Sequence, residues 1–71
     1  MIQEKTKAEE VRVFAALQAF IDEHGFAPTE RELCEAAGIS SRSVLHNHLV
    51  RMKYEGMIDY IPQKSRTIRI L

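Results

Sequence analysis

The chain has 71 residues, of which 45% are hydrophobic and 28% charged, and its ten basic and ten acidic residues give a formal net charge of zero. A chain of this length folds as one domain, residues 1–71, around one small core, and its composition excludes intrinsic disorder. It has no apolar run near the ~18 residues of a membrane-spanning helix, no signal-peptide pattern and one cysteine, so the sequence predicts a soluble protein of a reducing cytoplasm, without membrane contact.

The first predicted helix lies near the N-terminus. Residues 1–5 show no hydrophobic periodicity, and we expect them to fray. Thr6 and Glu9 have the spacing of a capping box, and His24 and Gly25 are typical of a helix end. Between them, apolar residues recur every three or four positions, which predicts a helix that faces a core. These residues are Val13, Phe14, Leu17, Phe20 and Ile21.

Two further helices are predicted between residues 29 and 55. Thr29 and Glu32 form a second T-x-x-E capping box, and Gly38 is placed to end that helix in a left-handed conformation. Ser40 or Ser41 then offers a hydroxyl that caps a third helix, roughly Ser41 to Glu55. Two helices joined by a turn of about three or four residues with a glycine are the helix-turn-helix pattern, whose second helix reads DNA in the major groove.

In the second helix, we expect Leu33, Ala36 and Ala37 to be buried and the glutamates to stay in water. In the third helix, at about 100° per residue, Leu45, Leu49 and Met52 share a core-facing side. The opposite side and its flanks carry hydroxyl, amide, methyl and imidazole groups together with cations. They are Ser41, Arg42, Ser43, Val44, His46, Asn47, His48, Val50, Arg51, Lys53 and Tyr54. Such a face has the groups that base edges and phosphates require.

Metal binding and catalysis are poorly supported. His46 and His48 form an H-x-H pair, but residues two apart on a helix do not share a face, and no cysteine or carboxylate completes a ligand set. Cys34 has no histidine at a useful spacing and is interpreted as a half-buried small apolar residue. The sequence also has no Ser/His/Asp set and no phosphate-binding glycine loop. It therefore predicts no enzyme, no metal, no cofactor and no small-molecule ligand.

After Gly56 the pattern changes to extended segments. Residues 57–61 and 66–71 are joined by a Pro62–Ser65 connection, and Ile68 and Ile70 alternate with polar residues as in a half-buried strand. This predicts a two-stranded hairpin, or wing, whose basic tip from Lys64 to Arg66 can reach a backbone phosphate. A ribbon that only closes the core is the simpler interpretation, and the two are compatible.

The charge is unevenly distributed along the chain. Residues 1–35 contain four basic and eight acidic residues, a net charge of −4, whereas residues 36–71 contain six basic and two acidic residues, a net charge of +4. This asymmetry could arise by chance, but a basic second half is expected if DNA contacts come from the third helix onward.

The runs GFAPTEREL, AGISSRSVLHNHLVRM, EGMI and RTIRIL resemble the N-terminal winged helix-turn-helix domain of LexA-type SOS repressors, without an alignment gap from Gly25 to Leu71. The resemblance implies an α+β fold of three helices followed by a two-stranded antiparallel wing. It further implies a bacterial or phage-type transcriptional repressor that binds half of a near-palindromic site on double-stranded DNA, and it is compatible with a homodimer on DNA.

The resemblance also implies which residues contact DNA. By position, the base-contacting residues are Ser41, Ser43, Val44, His46 and Asn47. The resemblance implies phosphate contacts from the helix starts and the wing, and the helical periodicity adds residues on the outer side and flanks of the third helix. We assign the phosphate contacts to Thr29, Arg42, Arg51, Lys53, Tyr54, Lys64, Ser65 and Arg66. His46 and Asn47 stand where some family members have glutamates, so the half-site sequence is left open.

One feature of the family is not matched. LexA-type repressors continue through a linker into a self-cleaving serine/lysine peptidase domain that also dimerises, and this chain stops at Leu71. The alternative to DNA binding is a protein-interaction adaptor or antirepressor that uses a winged-helix fold. Zero net charge and the outward-facing Val50 favour that alternative.

Overall fold

A computed structural model describes residues 2–71, with side chains from Lys7 onward. It contains three helices, α1 (Ile2–His24), α2 (Glu30–Ala37) and α3 (Arg42–Tyr54), followed by two short strands, β1 (Ile58–Asp59) and β2 (Arg69–Ile70). The strands pair antiparallel, with Ile58 opposite Ile70 and Asp59 opposite Arg69. The predicted α+β winged helix-turn-helix architecture is confirmed.

The start of α1 differs from the prediction. The helix begins at Ile2, so Thr6 lies inside it and cannot be its N-cap, and residues 2–5 are helical rather than frayed. Met1 lies outside the described residues. Gln3, Glu4 and Lys5 are good helix formers, and this intrinsic preference extends the helix beyond the hydrophobic stripe from which its start was predicted.

The helix-turn-helix boundaries follow the predicted capping signals. The Thr29 hydroxyl accepts the Glu32 amide at 3.1 Å, and the Glu32 carboxylate accepts the Thr29 amide at 2.9 Å, which completes the capping box of α2. Gly38 has φ +71°, and its amide bonds the Cys34 carbonyl, as in a left-handed helix end. Ser41, rather than Ser40, caps α3 through a 3.3 Å bond from the Val44 amide.

The core lies where the three helices and the wing meet. Buried apolar residues come from every element or its flanks: Val13, Leu17, Leu33, Cys34, Ala37, Ile39, Leu45, Leu49, Met52, Ile58 and Ile68. The predicted burial of Ala36 is wrong, because this residue is exposed and Cys34 is buried instead. At 100° per residue, Leu33, Cys34 and Ala37 span about one face of α2, and Ala36 lies beyond its edge.

The wing has shorter strands than predicted, two residues each. Gln63 and Arg66 adopt left-handed φ angles of 65° and 59°, which interrupt the extended backbone on both sides of the tip. The Thr67 hydroxyl replaces part of the missing ladder, since it accepts the Ile61 amide at 3.0 Å and lies 3.0 Å from the Lys64 carbonyl. Side-chain bonds therefore determine the shape of the wing tip.

Candidate nucleic-acid interface

The outer face of α3 is open to solvent along the stretch predicted to read bases. Ser43, His46 and Asn47 are exposed, Val44 is 39% exposed, and the capping residue Ser41 is half-buried. Leu45, Leu49 and Met52 hold the opposite side of the helix in the core. From Arg42 to Tyr54, α3 has no acidic residue, so the face presents neutral polar, methyl and cationic groups.

A cleft separates the start of α2, the start of α3 and the wing. It encloses about 570 Å³, and residues from all three regions line it, including Thr29, Arg42, His46, Lys64, Ser65 and Arg66. The fold therefore brings one predicted base contact and five predicted phosphate contacts to a single concave surface. Arg51, Lys53 and Tyr54 are not among its lining residues, because they lie on the last turns of α3.

Two predicted phosphate contacts at that end of α3 are tied to neighbouring elements. The Lys53 ammonium donates to the Tyr60 carbonyl at 3.0 Å, lies 3.7 Å from Asp59 and sits 4.5 Å above the Tyr60 ring. The Arg51 guanidinium lies 3.8 Å from the Glu10 carboxylate of α1. Tyr54 is 92% exposed. The charged groups of Lys53 and Arg51 therefore already have partners within the protein.

Sequence reasoning missed Glu30, which was expected to stay in water. Its carboxylate lies 3.7 Å from the Arg42 guanidinium and 3.5 Å from Nδ1 of His46, and its side chain is 32% exposed. It is therefore the acidic neighbour of two predicted DNA contacts on the adjacent helix. No sequence signal marks this residue, because its partners lie 12 and 16 positions away on another element.

Glu32 was also expected to stay in water and instead contacts the wing. Its second carboxylate oxygen accepts from Arg66 Nη2 at 3.0 Å. The bond from the Thr29 amide, followed by the Arg66 guanidinium, lowers the pKa of Glu32 below its ordinary value of 4.5. The capping box is visible in the sequence because its residues are three apart, whereas the contact with Arg66 spans 34 residues.

The structure changes the interpretation of the charge asymmetry. Glu10, Glu30 and Glu32 of the acidic half pair with Arg51, Arg42 and Arg66 of the basic half. Lys53 and Arg69 both lie near Asp59. Among the side chains that the structure describes, residues 7–71, Lys64 is the one cation after residue 35 without an ion pair. Part of the asymmetry therefore reflects the packing of acidic helices against a basic helix and wing, rather than a free cationic surface.

Within the described residues, no group of three or more histidine, cysteine, aspartate or glutamate side chains could hold a metal ion. His48 is buried and lies 3.2 Å from Glu9, whereas His46 points towards Glu30, so the two histidines have different neighbours. Cys34 is buried, and burial raises the pKa of its thiol.

None of the helices in residues 2–71 is both long enough and apolar enough to span a membrane.

Comparison with known proteins agrees with this arrangement. The family model described as LexA DNA binding domain matches residues 4–67, which is most of the chain. The chain is 45% identical to the LexA repressor of Clostridium botulinum (strain Hall) over 65 residues, 92% of the chain and 31% of that protein. It is 42% identical over 65 residues to the LexA repressor of Caldicellulosiruptor saccharolyticus, with the same coverage of both proteins.

A third relative, the LexA repressor of Limosilactobacillus reuteri, is 34% identical over 64 residues, 90% of the chain and 31% of that protein. The chain thus spans about a third of the length of these curated relatives. The matched region includes most of α1 and all of α2, α3 and β1, which carry the capping box of α2, the glycine turn and the exposed face of α3. The chain belongs to the LexA DNA-binding domain family.

Proposed function

We propose that this domain binds double-stranded DNA in a sequence-specific manner as part of a transcriptional repressor, with α3 in the major groove and the wing beside the phosphate backbone. The observation that carries the proposal is the exposed, acid-free face of α3 at Ser43, Val44 and Asn47, next to a cleft that reaches Lys64 on the wing. A helix of this kind fits the width of the major groove.

The chemistry of this face assigns a role to each predicted base contact. The Asn47 amide both donates and accepts, which suits the N6 and N7 groups of adenine. The Ser41 and Ser43 hydroxyls adapt to a donor or an acceptor, and the Val44 methyl groups suit the methyl group of thymine. His46, beside Glu30, offers an imidazole nitrogen to a base edge. These four kinds of group would together define one half-site.

Phosphate contacts are assigned to residues around this face. They are Thr29, Arg42, Arg51, Lys53, Tyr54, Lys64 and Ser65. The ion pair of Arg42 with Glu30 is 3.7 Å long and partly exposed, and such pairs contribute about 0–1 kcal/mol, so exchanging it for a phosphate costs little. The pair of Arg51 costs more to exchange, because its partner Glu10 is buried and would be left without a cation. Arg66 differs, because its guanidinium is held by short hydrogen bonds within the protein.

The internal ion pairs lower the affinity that we expect of a single domain for DNA. A domain of zero net charge whose cations lie beside glutamates gains less from counterion release than a strongly basic one. One copy should therefore bind a half-site weakly, and we propose that two copies occupy two near-palindromic half-sites, as a homodimer on DNA. The site of action would be the DNA of a bacterial or phage-infected cytoplasm.

Selection of bound sequences from a random duplex pool tests the proposal. The chain should enrich an inverted repeat, and its affinity for the enriched duplex should fall steeply as salt rises, since log K falls linearly with log salt when phosphates are neutralised. Failure to enrich any sequence at low salt would reject sequence-specific binding by this domain.

A protein-interaction adaptor is the second candidate. Val50 and Tyr54 are 47% and 92% exposed on α3, and most cations of the second half have internal partners. An adaptor of this kind should show no salt-dependent association with duplex DNA. The same titration therefore separates the two functions.

A further inference from the structure

The side chain of Arg66, at the wing tip, is held by contacts with the loop before α2 and with α2 itself. Its Nη1 donates to the Ala27 carbonyl at 3.1 Å and its Nη2 donates to Glu32 Oε2 at 3.0 Å. The guanidinium carbon lies 5.0 Å from the centre of the Phe26 ring. One side chain at the wing tip thus contacts the loop before α2, 39 residues away in sequence, and the first turn of α2, 34 residues away.

The backbone of Arg66 also indicates a specific role. Its φ of 59° lies in the left-handed region, which a residue with a side chain adopts at an energetic cost. A conformation of this kind persists where the surroundings hold it in place. The hairpin ladder beneath the tip has only two residue pairs, Ile58 with Ile70 and Asp59 with Arg69, so backbone pairing holds the tip weakly.

Glu32 connects this contact to the start of α2. One carboxylate oxygen accepts the Thr29 amide and the other accepts the Arg66 guanidinium, so a single side chain caps the helix and holds the wing. Lys64 and Ser65, immediately before Arg66, are exposed and line the cleft between the wing and α3. The position of these two residues relative to α3 therefore depends on where Arg66 is anchored.

We propose that Arg66 is the positioning residue of the wing, whose bonds to Glu32 and Ala27 hold Lys64 and Ser65 against the cleft at the distance from α3 that a backbone phosphate requires. This inference rests on the proposed DNA-binding function and deepens it. It assigns the phosphate contact at the tip to Lys64 and Ser65. It also makes Glu32, an acidic residue, a requirement for DNA binding.

Two substitutions separate this role from a direct phosphate contact. Arg66→Lys keeps the positive charge but cannot donate to Glu32 and Ala27 in the same fork geometry. Glu32→Gln keeps an oxygen for the Thr29 amide, since glutamine also serves in a capping box, and then turns an NH₂ group, which cannot accept from the guanidinium, towards Arg66. Removal of a carboxylate would by itself strengthen DNA binding, so weakening by Glu32→Gln identifies the positioning role.

The measurement is the salt dependence of binding to the selected duplex, with and without Lys64→Ala. In the parent chain, Lys64→Ala should lower the slope of log K against log salt by about 0.9, the value for one phosphate contact. In the Arg66→Lys and Glu32→Gln backgrounds, Lys64→Ala should change neither slope nor affinity. Arg69→Lys, at a pair within the hairpin, and Glu35→Gln, on exposed α2 surface, are matched controls that should leave the effect of Lys64→Ala intact.

A second readout needs no DNA. Backbone amide order parameters of Lys64 and Ser65 should fall from about 0.85 towards 0.6 in Arg66→Lys and Glu32→Gln, but not in the two controls. Unchanged order parameters, or a full Lys64→Ala effect in both backgrounds, would overturn the positioning role. If the parent chain binds no duplex DNA, the proposed function fails, and the order parameters still decide whether Arg66 anchors the wing.

Discussion

The imidazole of His48 and the carboxylate of Glu9 lie 3.2 Å apart, joining the proposed recognition helix α3 to α1. His48 is buried, with 5% of its side chain exposed, and Glu9 is 26% exposed. On the adjacent turns, Arg51 of α3 approaches Glu10 of α1, whose Oε2 is buried without a hydrogen-bond partner. This polar cluster joins α3 to α1, and its buried His48 lies beside Leu45 and Leu49, on the side of α3 away from the proposed base contacts Ser43 and Asn47.

His48→Ala should therefore destabilise the fold rather than alter base recognition. Truncation removes a buried ring and leaves Glu9 without its partner, so we expect the free energy of unfolding to fall by about 2 kcal/mol. Urea denaturation followed by circular dichroism measures the change. His46→Ala, two residues earlier and half-exposed, is the matched control and should stay within about 0.5 kcal/mol of the parent chain. Equal losses from both substitutions would contradict the distinction.

Thr29→Ala tests the cap of α2 on its own. The substitution leaves the Glu32 amide without the hydroxyl that it contacts at 3.1 Å, and loss of an N-cap of this kind costs about 1 kcal/mol. Thr29→Ser retains the hydroxyl and should recover most of the stability in the same urea titration. If serine and alanine were equally destabilising, packing of the threonine methyl group rather than capping would explain the loss.

The features that sequence reasoning predicted correctly are those encoded within a few residues. The capping box joins positions three apart, Gly38 supplies a left-handed φ, and the stripe of Leu45, Leu49 and Met52 repeats with the helical period. Each of these signals has a local physical cause, so neighbouring residues reveal it. The same T-x-x-E spacing at Thr6 was misleading, because helix formers before it extend α1 to Ile2.

The features that were missed depend on contacts between distant elements. Glu30 and Glu32 resemble ordinary surface glutamates until the fold brings Arg42, His46 and Arg66 beside them. The left-handed conformations of Gln63 and Arg66 also have no compositional signal, because neither is the glycine or asparagine that usually marks such a position. The assignment of individual DNA contacts on α3 and the wing remains a prediction.

Asn47→Ala and Lys64→Ala should affect DNA binding in different ways. Loss of the Asn47 amide should relax base preference at one position of the half-site by about 1–3 kcal/mol, whereas loss of Lys64 should weaken binding to all sequences alike. Competition binding with single-base variants of the selected duplex measures both effects. A uniform loss from Asn47→Ala would show that its side chain does not read a base.

Acidification should weaken the fold through the wing. The pKa of Glu32 is lowered first by the Thr29 amide and then by Arg66, and the pKa of Asp59 is lowered first by the Tyr60 amide and then by Arg69. Because both carboxyl groups bind protons more readily in the unfolded chain, they stabilise the fold above their ordinary pKa values of 4.5 and 3.8. This stabilisation is lost as pH falls from those values through the lowered ones.

The free energy of unfolding, measured in urea at several pH values, should therefore show no pH dependence from these two groups above about pH 5, where their stabilisation is complete, and should decline below it. Glu32→Gln should be less stable than the parent chain at pH 7 and should lose less stability on acidification, so that the two curves approach each other as pH falls below 4.5, the ordinary pKa of the Glu32 carboxyl group. Glu35→Gln, on the exposed surface of α2, should run parallel to the parent curve. A Glu32→Gln curve parallel to the parent at every pH would mean that the Glu32 carboxylate does not contribute to stability, whatever its distance from Arg66.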